Sequence, residues 1–161
     1  GGGFGYMNYA RIFQSFPGID NGLSRHDLHH GSAANAEYVD AIHAVSREHV
    51  RLIAKLARAL EAVPEGNGTM LDHTAIVYVS DNGEQHHSTA SEWPVLLVGG
   101  KELGLRTEGQ TVVFPGANHA NNRQLSNLFN TLGYAAGAPL DDFGHEGGTR
   151  IAAGPLSELM T

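Results

Sequence analysis

The segment Thr74-Ala75-Ile76-Val77-Tyr78-Val79-Ser80-Asp81-Asn82-Gly83-Glu84-Gln85-His86-His87 constrains this chain more than any other. Its first half is a run of β-formers, the composition of a buried strand. The run then stops in two oxygen-bearing side chains, a glycine that permits a tight turn, and two adjacent imidazoles. In open α/β sheets, ligands bind just outside the carboxyl ends of the strands. A carboxylate, an amide and two histidines delivered there have the donor chemistry of a metal site. Asp-Asn-Gly is also ordinary turn chemistry, with the histidines solvated. On these residues alone both readings stay open.

The surrounding pattern predicts helices and strands in alternation. Residues 1–34 read as a loop-rich lead-in. Residues 35–63 read as a long helix with Ile42, Val45, Leu52, Ile53, Leu56 and Leu60 on one face, at the spacing of a buried stripe. Asn35 fits the N-cap, with Glu37 and Asp40 early and Arg51, Lys55 and Arg58 late, as the helix dipole favours. Pro64 and Gly66 end the helix. Residues 74–80 and 94–100 read as buried strands, and Thr111 to Phe114 as a weaker third. Asn121 to Leu132 reads as a helix with Leu125, Leu128, Phe129 and Leu132 on one face, closed by Gly133. Residues 135–161 read as an irregular tail. A long helix followed by fully apolar strands predicts an α/β fold with a mostly parallel sheet flanked by helices. At 161 residues the chain has the length of a single domain. It opens on Gly1-Gly2-Gly3-Phe4 without an initiator Met, which reads as a piece or processed form of a longer protein.

Charge and composition remove several classes of function. The net charge is −7 and no basic run occurs, which argues against nucleic acid and anionic membrane surfaces as partners. No apolar window is long enough to span a membrane. With no cysteine, disulfides, thiolate metal sites and a cysteine nucleophile are excluded together. Ten histidines are the one oddity of composition. Histidine is the commonest metal ligand.

Two further segments carry candidate ligands. In Ser24-Arg25-His26-Asp27-Leu28-His29-His30, Asp27 with His29 and His30 would suit Zn, Mn or Fe, whereas Ca would want more oxygen. The plain alternative is a polar loop in which Asp27 bonds its own backbone. His119, in Asn118-His119-Ala120-Asn121, would complete a site or cap the following helix, with capping favoured. His49 falls on the apolar stripe of the long helix and reads as a core histidine; His43 reads as surface. No Gly-x-Ser-x-Gly elbow, dinucleotide fingerprint or P-loop occurs.

Ile76-Val77-Tyr78-Val79-Ser80-Asp81-Asn82-Gly83 resembles the strand-end motif of the sulfatases and the wider alkaline phosphatase-like superfamily. The order of Leu28-His29-His30-Gly31, a long helix, Glu65 to Asp72, the strand, Trp93-Pro94-Val95-Leu96-Leu97-Val98-Gly99-Gly100, and Asn127-Leu128-Phe129-Asn130-Thr131-Leu132-Gly133 is similar to the C-terminal part of an uncharacterised exported bacterial family of that superfamily. The resemblance implies an exported hydrolase of phosphate or sulfate esters, small or polysaccharide, with a divalent ion (Zn, Mn, Fe or Ca). It places Asp81 and Asn82 as the strand-end metal pair, with Asp27, His29, His30, His87 and His119 as further ligand candidates. His86 and His87 are the candidates for a catalytic general acid. Asp27 and His30 sit one residue closer than the superfamily's Asp-x-x-x-His pair. The superfamily's nucleophile has no counterpart in this chain. The remainder of a longer chain, or another subunit, would have to supply it; otherwise the scaffold is a non-catalytic metal-binding or assembly module.

Overall fold

The apolar spacing between residues 36 and 61 has one physical outcome, a long helix, and it forms as α3 (Ala36–Glu61). The computed structural model describes residues 10–19, 23, 25–31, 34–80, 93–116, 118–143 and 152–161. Asn35 caps α3 as expected: its Oδ1 accepts the backbone N–H of Glu37 at 3.0 Å, satisfying an N–H that the helix itself cannot. Two compact units result, one holding the described residues through Lys55 and the other those from Leu56 onward. Among the described residues no helix is long and apolar enough to cross a membrane.

In the first unit, α1 (Ala10–Phe13) and α2 (Arg25–Gly31) precede α3. The lead-in is therefore less irregular than expected. Among the side chains of α1 and α2, Phe13 and Leu28 are buried, too few for an apolar period to register in the sequence. Phe13, Ile19 and Leu28 pack with Ala41 and Val45 of α3, and Ile12, Phe16, Leu23, Tyr38 and Ile42 surround them. This cluster covers only the first half of the apolar stripe. Leu52 and Leu56, expected on the buried face, are 40% and 49% exposed.

The second unit begins with an antiparallel hairpin of β1 (Pro64–Glu65) and β2 (Gly68–Thr69). It continues with β3 (Ala75–Val79) and β4 (Val95–Gly99), within a residue or two of the expected spans. The pairing corrects the expectation. β3 and β4 run antiparallel, with Ala75 opposite Gly99 and Val79 opposite Val95. Both strands are only half-buried and Val95 is exposed, where fully buried strands were expected, and an apolar run does not record a strand's direction. The described residues thus form a mixed α/β structure with two antiparallel strand pairs. The third strand expected over Thr111–Phe114 does not form, and Val113 is 83% exposed.

Glycine is required where β4 ends. Gly99 has φ 80°, and a Cβ there would run into the carbonyls of Thr74 and Leu71. That close approach lets Gly100 donate its N–H to the Leu71 carbonyl at 3.0 Å. The chain then buries Leu105 and pairs it antiparallel with Met160, so the C-terminal end is held beside the β4 exit.

α4 (Leu125–Ala135) departs most from its sequence reading. Leu128 is buried, but Phe129 is 41% exposed. The most deeply buried positions on α4 are instead Asn127, Asn130 and Thr131, spaced i, i+3, i+4 on one face. Asn127 Nδ2 donates to the carbonyls of Ala152 and Gly154, both at 2.8 Å. Its Oδ1 accepts the Gln124 N–H at the helix start. Asn130 Nδ2 donates to the carbonyls of Asp141 and Gly154, and its Oδ1 accepts the Phe143 N–H. Thr131 Oγ1 donates to the Asn127 carbonyl and accepts the Leu156 N–H, each at 2.8 Å. The described part of the tail is therefore ordered on α4. Gly133 does not close the helix. Closure falls at Gly137, φ 72°, with Gly137 N–H on the Tyr134 carbonyl and Ala138 N–H on the Gly133 carbonyl, a Schellman motif.

Thr131→Val keeps the side-chain shape but removes the acceptor of the buried Leu156 N–H. We expect it to cost about 1–3 kcal/mol in urea unfolding. A change near zero would show that the tail is not held by this bond.

Candidate functional site

The exit of β3 is fixed from both ends of the strand. At its entry, Asp72 Oδ2 accepts the Thr69 N–H and the Thr69 hydroxyl, both at 2.7 Å. The hydroxyl bond, then the backbone bond, holds the Asp72 carboxyl below the ordinary carboxylate range. Through the strand, pairing with β4 sets the register. At the exit, the indole Nε1 of Trp93 donates to the Ser80 carbonyl at 2.9 Å. Ser80, the residue before Asp81 in the sequence, is thereby tied to the chain leading into β4. Asp81, Asn82, His86 and His87 themselves lie outside the described residues, as does His145. Trp93 is the positioning residue that sequence reasoning missed. Its Trp-Pro sequence was visible, but nothing in it showed that the indole N–H would turn toward the neighbouring strand.

In the first unit, Asp27, His29 and His30 lie on α2 and not on a loop. The single turn of helix between Asp27 and His30 puts them on neighbouring positions of one face. Leu28 is fully buried, Asp27 and His30 are exposed, and His29 is half-buried. His30 meets the ring of His26, one turn earlier, with ring centroids 4.4 Å apart and planes at 69°. Among the described residues no group of three or more His, Asp or Glu side chains is gathered to hold a metal ion.

His119 belongs to the second unit. It is exposed, and its Nδ1 accepts the Asn121 N–H at 3.1 Å. Asn118, just before it, has φ 72°, a left-handed conformation that asparagine tolerates better than most residues. His119 thus closes a turn. The cap of α4 lies further on, at Gln124. With Nδ1 used as an acceptor, the neutral ring carries its proton on Nε2. Ligation through Nε2 would require that proton to move.

Of the two histidines of α3, His43 falls on the surface as expected, while His49, expected in the core, does not reach it. His43 is exposed and His49 half-buried. Burial, then the nearby Arg25 guanidinium, holds the His49 pKa below the ordinary histidine value.

No family model matches the chain, and no curated protein or solved structure matches it.

Two outcomes test these local arrangements. Trp93→Phe keeps the ring and loses the donor to Ser80. Hydrogen exchange in the peptide covering residues 76–82 should accelerate about 2- to 10-fold, the worth of one net hydrogen bond; unchanged exchange there would remove Trp93 as the clamp. For His49, the folded state favours the neutral ring, so the unfolded state binds more protons. The stabilising contribution is complete above the unfolded pKa of about 6.5 and is lost as pH falls through that value toward the folded pKa. His49→Gln should flatten the pH dependence of stability in that window, and NMR titration should place His49 below about 6.5. A His49 titration at or above that value would contradict it.

Proposed function

We propose that this chain is the metal-binding part of an exported alkaline phosphatase- or sulfatase-like hydrolase of phosphate or sulfate esters. The observation that carries this is the strand exit. A real strand leads into Ser80-Asp81-Asn82, and Trp93 pins the carbonyl next to the candidate ligand. A metal site needs ligands presented by rigid elements, and a carboxylate with an amide oxygen beside imidazoles is a fitting donor set for a divalent ion. The mostly parallel sheet of that superfamily is part of the proposal. It requires strands beyond the antiparallel β3–β4 pair.

Asp81 and Asn82 would hold the ion, with Asp27, His29, His30, His87 and His119 as the further candidates. The chemistry supplied by a bound ion is polarisation of the ester oxygen and neutralisation of developing charge. His86 or His87 would give a proton to the leaving oxygen. No residue of this chain is assigned as the nucleophile. The alternative is a module that binds metal without hydrolysis.

The test is metal content and esterase activity of the intact protein, on p-nitrophenyl phosphate and p-nitrophenyl sulfate. Asp81→Ala should lower both bound divalent ion and hydrolysis, the latter by about 100-fold or more. Metal lost on Asp81→Ala with no hydrolysis in the unaltered protein supports the non-catalytic module. No bound ion, and no effect of Asp81→Ala, contradicts both.

A further inference from the structure

We propose that His26 and His30 form a transition-metal site of their own on the exposed side of α2. The two rings lie one helical turn apart, with centroids separated by 4.4 Å. A zinc-type ion binds imidazole nitrogen at about 2.0–2.1 Å, which sets two nitrogens on one ion roughly 3 Å apart. The i, i+4 placement on one helix puts both rings within side-chain reach of a single ion.

The helix supplies the rest. Successive residues are rotated by about 100°, so His26 and His30 point almost the same way and Leu28 points nearly opposite. Leu28 is fully buried in the cluster with Phe13, Ile19, Ala41 and Val45. His26 and His30 are exposed. The anchoring residue and the ligand pair therefore occupy opposite faces, and the core fixes which way the pair faces. Asp27 is exposed beside them and adds a negative charge within the same turn. The segment His26-Asp27-Leu28-His29-His30 has two histidines at i and i+4 with an acidic residue after the first, the spacing by which zinc-binding helices present paired imidazoles.

Imidazole pairs suit Zn²⁺, Ni²⁺ and Cu²⁺ and discriminate against Mg²⁺ and Ca²⁺, which take oxygen. The ligand class is therefore a borderline divalent transition ion, with water completing its coordination. This site needs neither Asp81 nor Asn82; it shares His30 as a ligand, and Asp27 as a neighbouring charge, with the hydrolase proposal.

The experiment is calorimetric titration of the whole chain with ZnCl₂, alongside His26→Gln, His30→Gln, Asp81→Ala and His43→Gln. Ring-nitrogen NMR of the histidines is followed in parallel. His26→Gln and His30→Gln should each weaken Zn²⁺ binding at least about tenfold, His43→Gln should leave it unchanged, and the His26 and His30 ring signals should shift together. Weakening by both α2 variants without any effect of Asp81→Ala supports the pair and counts against the strand exit as the metal site. Weakening by Asp81→Ala with His26→Gln binding as tightly as the unaltered chain overturns the pair and leaves the hydrolase proposal standing. Zn²⁺ that shifts neither ring overturns the pair, whatever the variants do.

Discussion

The Gly154 carbonyl is the point on which the second unit turns. It accepts Nδ2–H of both Asn127 and Asn130, two side chains with almost no exposed surface. A buried polar group that loses its partner costs more than the bond it made. Once these asparagines are enclosed, the chain from residue 152 to 156 has little freedom to lie anywhere else. Thr131 adds the Leu156 N–H to the same face. Leu156 then sits just before the short helical turn Ser157–Leu159, and Met160 pairs with Leu105 beyond the end of β4. A polar clasp on α4 and the exit of β4 are thereby joined through the last ten residues.

Local patterns in this chain were legible in advance, and features that depend on distant segments were not. α3, β3 and β4 were legible because each is an apolar pattern with one geometric period. Asn35 was legible because an N-cap is a local bond between a side chain and a backbone two residues on. The antiparallel pairing was not, since strand direction depends on the path taken between Val79 and Val95. The polar face of α4 was not either. Asn127, Asn130 and Thr131 read as the solvent side of a helix until the tail that satisfies them is folded onto it. Gly133 misled for a related reason: glycine marks helix ends, but here the left-handed closure is at Gly137. α2 was hidden because a seven-residue helix with one buried side chain has no period to detect.

The candidate site divides along the same line. The strand leading to Asp81 was readable from composition, and so was the histidine richness of residues 26–30. The device that fixes the strand exit was not. It is a hydrogen bond between the Trp93 indole and the Ser80 carbonyl, thirteen residues apart. Likewise the sequence points to Asp27, His29 and His30 but not to His26, because only a helix makes residues 26 and 30 neighbours. In both cases the sequence carried the donor atoms and the fold supplied the proximity.

The central claim is that the end of β3 presents a divalent ion. Anomalous diffraction at the zinc edge, from crystals of the intact protein grown with ZnCl₂, locates the ion without reference to activity. A peak within coordination distance of the Asp81 carboxylate, about 2.0–2.2 Å, is the predicted result. An ordered Asp81 with no peak beside it, including the case of a peak at α2 alone, would contradict it.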